Sequence, residues 1–144
     1  MAIYIDSSFL LSLLTIDINY ELSFNQWESD ELKLSSKLLD FECFVNIHKI
    51  YRENSKRLPK HWLDRTLDKY DDLKGEINLK AIDNEILHTI KSNLKLTNLK
   101  SLDSIHVSTA LLWNDFTDTP ITLCSYDKNI RKICKELNLK TMVL

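Results

Sequence analysis

Short apolar runs that stop at a carboxylate, each followed by helical periodicity, constrain this chain more than any other feature. Residues 2–5, AIYI, are bounded by Asp6, and residues 121–126, ITLCSY, are bounded by Asp127. Runs this short and this apolar read as strands buried on both faces. Ser7 to Thr15 reads as a helix with Asp6 or Ser7 at its N-cap, and residues 18–29 carry a weaker helical pattern. Residues 31–35 alternate like a strand. Over residues 37–54, Leu38, Leu39, Phe41, Val45, Ile47 and Ile50 recur at helical intervals. Pro59 reads as the first residue of a further helix carrying Trp62, Leu63, Leu67, Tyr70 and Leu73, with Gly75 ending it. Ile77, Leu79 and Ala81 alternate as a strand. Helices are predicted over about 84–93 and 102–113, and over 128–137 with Ile130, Ile133, Cys134 and Leu137 on one face. TMVL, residues 141–144, closes as a final strand. Strands separated by helices imply a parallel sheet covered on both faces. The expectation is a single α/β domain over 1–144, doubly wound, with about five mainly parallel strands.

Composition removes several function classes. The chain has one glycine in 144 residues. A P-loop needs Gly at both ends of its phosphate cradle and a dinucleotide fingerprint needs three, so both are excluded. Hydrophobic residues at 44% and charged residues at 28% are ordinary globular usage, which excludes a disordered or collagen-like chain. No apolar run is long enough to cross a membrane, and the start, MAIYIDSSFLLSLL, lacks the basic opening of a secretory signal. Cys43, Cys124 and Cys134 form no CxxC and leave an odd count, which points to a reduced, cytoplasmic protein. The histidines His48, His61, His88 and His106 have no zinc-site spacing.

In sheets of this type, sites form beyond the carboxyl ends of strands. Asp6 and Asp127 stand there, and Asp103 opens a helix. Each is equally an ordinary N-cap. Glu42 lies amid apolar residues in LLDFECFVNI, where a carboxylate is paired, metal-bound or turned to solvent at the helix edge. Four carboxylates meeting in one cleft would repel one another. A divalent cation with a preference for oxygen, Mg²⁺ or Mn²⁺, resolves that repulsion and activates water for phosphodiester hydrolysis. His106, three residues after Asp103 in an apolar helix, reads as a packed or hydrogen-bonded histidine rather than a general base. The net charge of −2 does not advertise a nucleic-acid binder. Basic clusters occur locally in residues 48–60, at Lys91, Lys95 and Lys100, and at Lys128, Arg131 and Lys132. Trp27, Trp62 and Trp113 read as core or interface anchors.

Taken in order, these blocks resemble the PIN domain, and within it the VapC ribonuclease toxins of bacterial toxin–antitoxin pairs. Tyr4-Ile5-Asp6-Ser7-Ser8 resembles the family's strand-ending acid followed by hydroxyl residues. Residues 36–47, SKLLDFECFVNI, are similar to the second block, with Glu42 as its acid. Residues 102–111, LDSIHVSTAL, are similar to the third and most specific block, with Asp103 as its acid, and Ser125-Tyr126-Asp127 resembles the fourth. Lys100 stands where many relatives carry Arg. The resemblance implies a metal-dependent endoribonuclease in which Asp6, Glu42, Asp103 and Asp127 hold Mg²⁺ or Mn²⁺ and an activated water attacks phosphorus, leaving a 5′-phosphate and a 3′-hydroxyl. Ser125 would orient Asp127 or a metal-bound water, and Ser7 or Ser8 would do the same near Asp6. Lys128, Arg131 and Lys100 would meet the RNA. The resemblance also implies a VapB-like antitoxin partner, seated on apolar helix surface around 20–28 and 41–70, and a homodimer. The rival expectation is a PIN fold with little or no cleavage that acts as an RNA- or protein-binding module. A receiver-like α/β domain is disfavoured because Asp6 has no acidic neighbour.

Overall fold

Four short strands make one all-parallel sheet: β1 (Ala2–Ile5), β2 (Leu32–Ser36), β3 (Ile77–Lys80) and β4 (Ile121–Cys124), in the spatial order β3-β2-β1-β4. They come from a computed structural model that describes residues 1–29 and 32–144. Glu31, the first residue of the strand predicted over 31–35, lies outside the described residues. The first-made strand is thus central. β1 pairs with β2 on one side and with β4 on the other, Ala2 lying opposite Leu32 and Ile121.

Helices connect the strands. α1 (Ser7–Thr15), α2 (Tyr20–Ser29), α3 (Leu38–Asn54), α4 (Trp62–Lys74), α5 (Asn84–Ser92), α6 (Ser101–Phe116) and α7 (Lys128–Glu136) follow in chain order, with a 3-10 segment at Leu94–Asn98 between α5 and α6. Because side chains alternate along a strand, β1 serves two cores. Ile3 and Ile5 face Phe9, Leu10, Leu39 and Ile47 of α1 and α3. Ala2 and Tyr4 face Leu96, Val107, Ala110 and Ile130 on the α6–α7 side. The α/β expectation holds, with helices on both faces of the sheet.

The structure differs from the sequence reading at the last strand and at the start of α4. Residues 141–144 do not form a fifth strand. Thr141 makes one isolated parallel bridge to Leu123, and Met142 N donates to Leu123 O at 3.0 Å. Val143 and Leu144 are exposed, so the run has no second buried face to sustain a ladder. Pro59 does not open α4. It sits in the turn before it, where Trp62 N donates to Pro59 O at 3.1 Å and His61 adopts a left-handed φ of 66°. Gly75 does end α4, but with a right-handed φ of −59° that any residue adopts.

Candidate active site

The site begins with the pairing of β1 and β4. Ile5 lies opposite Cys124 and Asp6 N donates to Cys124 O at 3.3 Å, so Asp6 and the residues after β4 leave the sheet at the same end. Both acids cap the next helix. Asp6 Oδ1 accepts from Phe9 N at 3.0 Å, and Asp127 Oδ1 accepts from Asn129 N at 2.8 Å and Ile130 N at 2.9 Å. Capping and a place at the strand ends are therefore one arrangement: the cap fixes the carboxylate where the strand delivers it.

Two serines stitch these acids together. Ser8 Oγ donates to Asp6 Oδ1 at 2.7 Å and accepts from Tyr126 N at 3.0 Å. Ser125 Oγ accepts from Asp127 N at 3.0 Å, and the Ser125 hydroxyl favours the ionised form of Asp6. Asp6 is only 3% exposed. Burial raises its carboxyl above the usual range, and His106, the Ser125 and Ser8 hydroxyls and the Phe9 N–H offset this only in part. Ser7, the first residue of α1, takes no part in these contacts among the described residues.

Glu42 projects from the second turn of α3, and its Oε1 lies 2.5 Å from His106 Nε2. His106 is buried, and its Nδ1 lies 2.8 Å from the Tyr4 hydroxyl. An ionised carboxylate only accepts, so Nε2 carries the hydrogen. In the neutral ring Nδ1 then accepts from the phenol. Burial above all keeps Tyr4 a phenol, with its pKa well above normal. Glu42 is thus neither turned to solvent nor loose: it is aimed by a buried histidine that is itself aimed by a buried tyrosine. The sequence reading of His106 as a packed, hydrogen-bonded residue agrees with this, but Tyr4 was missed. Its signal was a phenol inside a wholly buried strand, which needs a partner.

Asp103 lies one turn before His106 on α6. Its acidity is governed by burial and by charge. Burial raises its carboxyl, the Asp127 charge adds most to that, and Glu42 and Asp6 add further, against His106. The Asp103 carboxyl thus responds to the other three acids, although Asp6 lies 97 positions away in the chain. Among the described residues, no three His, Cys, Asp or Glu side chains stand close enough to chelate one ion directly. The donor chemistry nevertheless fits a hard dication. All four groups are oxygen donors under mutual repulsion, and Mg²⁺ binds through one or two carboxylates, keeping several waters. Lys100, exposed, precedes α6 without a side-chain cap. Lys128 is exposed at the start of α7, and Arg131 Nη1 donates to Ser125 O at 3.3 Å. A concavity of about 540 Å³ beside Trp113 and Phe116 is lined by none of the four acids.

A family model described as the PIN domain matches residues 3–136, nearly the whole chain and all four acids. This chain belongs to the PIN domain family. PIN domains are generally nucleases, and they typically bind divalent metal ions. The parallel sheet flanked by helices is consistent with the PIN fold. No curated protein matches the chain. No helix among the described residues is long and apolar enough to cross a membrane.

Proposed function

We propose that this PIN domain is a metal-dependent endoribonuclease of the VapC type, a toxin held in check by a VapB-like antitoxin in the cytoplasm. The observation that carries the reading is that Asp6 and Asp127 leave the paired strands β1 and β4 at the same end, each fixed as a helix cap, with the Asp103 carboxyl pushed upward by burial and by the Asp127, Glu42 and Asp6 charges. Asp6, Glu42, Asp103 and Asp127 would hold Mg²⁺ or Mn²⁺. When bound, the ion supplies Lewis-acid polarisation of the phosphoryl group and a water acidic enough to attack it. The chain's own residues supply positioning. Ser8 holds Asp6, and Ser125 and the backbone amides of α7 hold Asp127. Tyr4 and His106 hold Glu42. Lys100, Lys128 and Arg131 offset the charge of the RNA backbone. Exposed Leu22 and Phe24 on α2, and Phe41, Phe44 and Val45 on α3, supply apolar surface for an antitoxin segment or a second copy.

The test is cleavage of a panel of structured RNAs with Mn²⁺. The parent protein cuts, while Asp6→Asn and Asp103→Asn lose at least about a hundredfold in rate, the loss of an electrostatic partner in the reaction. Replacing the 2′-hydroxyl at the cut site with hydrogen leaves cutting intact, because the nucleophile is water. Equal cutting by parent and variants assigns the activity to a contaminant. RNA binding without product, with or without metal, supports the rival reading as a binding module.

A further inference from the structure

A basic groove runs from the site along α7. Its walls include Tyr126, Lys128, Arg131, Lys132 and Lys135, and no acidic side chain lines it. The groove, about 430 Å³, opens beside Asp127, whose two sequence neighbours both line it. Its geometry follows from helix periodicity. Ile130, Ile133 and Cys134 are buried on one side of α7. Lys128, Arg131, Lys132 and Lys135 therefore share the other side at i, i+3, i+4 and i+7. The three lysines are exposed. Arg131 is held in place by its bond to Ser125 O, the carbonyl next to the Ser125 hydroxyl that accepts from Asp127 N. Seven residues of helix advance about 10 Å, close to three nucleotides at the 3.4 Å spacing of a stacked strand.

We propose that this groove is the track for the sugar-phosphate backbone of single-stranded RNA on one flank of the scissile bond. The inference rests on the nuclease reading for its direction, from Asp127 outward, but its own evidence is the row of cations that begins one residue after Asp127. Such a track reads charge and not base identity, since its cations meet phosphates, and the Tyr126 ring in its wall is held by the bond of its hydroxyl to Ser23. It also answers an electrostatic difficulty. Four carboxylates repel an RNA strand, and a row of cations beginning at Asp127 offsets that repulsion on the way in.

The experiment uses the full chain carrying Asp103→Asn, so that bound RNA survives, and a labelled uridine dodecamer followed by fluorescence anisotropy over a salt series. The double variant Lys132→Ala/Lys135→Ala binds about tenfold more weakly at low salt, and its log K against log[salt] slope is shallower by about 1.4, the value for two lost contacts to a single strand. Lys91→Ala/Lys95→Ala, which removes the same charge elsewhere, leaves affinity and slope as in the parent. With Asp103 restored, the groove variant keeps the parent's Mn²⁺-dependent rate on bis-p-nitrophenyl phosphate, a substrate too short to reach the groove, and loses rate on the dodecamer. Unchanged RNA affinity in the groove variant overturns the track, as does an equal loss in the control variant. Tighter binding of oligo-glutamate than of RNA overturns it in favour of an acidic peptide. Groove-dependent RNA binding with no turnover of either substrate keeps the track and rejects the nuclease reading, so the two failures are distinguishable.

Discussion

Asp103 and Glu42 show two ways of keeping a carboxylate in a crowded place. Glu42 is held by a hydrogen-bonded relay from Tyr4 through His106, whereas the Asp103 carboxyl is shaped by burial and neighbouring charge. Tyr4→Phe leaves the buried Nδ1 of His106 without its hydrogen-bond partner. We expect about 1–2 kcal/mol lower stability in urea unfolding, together with weaker Mn²⁺-dependent activity as Glu42 loses its aim. Asp103→Asn goes the other way. A carboxyl raised on folding stabilises the native state when protonated, and that contribution is lost as pH rises through its folded pKa. Ionised Asp103 therefore works against folding at neutral pH. Asp103→Asn should melt above the parent near neutral pH, and the gap should close as pH falls through the carboxylate range. A melting series across pH checks this. The acids themselves were legible because short apolar strands and helix starts flag strand-end positions. The relay was not, since nothing in the spacing of Tyr4, Glu42 and His106 says that α3 and α6 meet across the end of β1.

At the level of elements, periodicity located every α-helix among the described residues and both ends of α1, but it missed the 3-10 segment at Leu94–Asn98 and the start of α4. α1 closes on Ile16 with a left-handed φ of 52°, a conformation that disfavours β-branched side chains. The side chain is exposed, so little packing is lost on its removal. Ile16→Gly should raise stability by about 1 kcal/mol, readable as a higher urea midpoint. His61 likewise displaces the start of α4 from Pro59 by a left-handed turn that no residue preference announces. α3 and α4 are then pinned by Asp40, which accepts from Lys37 at 2.6 Å, from Lys74 at 3.1 Å and from the Tyr70 hydroxyl. Burial alone would raise the Asp40 carboxyl, but these donors outweigh it and hold it at about 2. A depressed carboxyl stabilises the fold above the ordinary carboxylate range, and that stability is lost as pH falls toward 2. Asp40→Asn should cost about 1 kcal/mol near neutral pH and match the parent in strong acid, measured by unfolding at both pH values.

Over the whole molecule, the order β3-β2-β1-β4 brings the ends of the chain together. The strand–helix alternation made the layered class legible. The strand order was not, because parallel pairing is decided by which buried faces fit, and the chain writes those faces far apart. Metal should report on the same architecture. Mn²⁺ at about a hundred times its dissociation constant should stabilise the parent by about 2.7 kcal/mol, seen as a rise in melting temperature that EDTA reverses. Asp103→Asn should lose most of that rise, so the variant that melts higher in EDTA should melt lower in Mn²⁺. The pairing of β1 with β4 carries one more consequence, this time for biosynthesis. A ribosome delivers Asp6 well before Asp127, which lies 121 positions later. Until Ile121 can dock beside Ala2, the nascent polypeptide holds three of the four acids. A polypeptide stopped short of Asp127 therefore lacks the fourth acid and the β1–β4 pairing that places it beside Asp6.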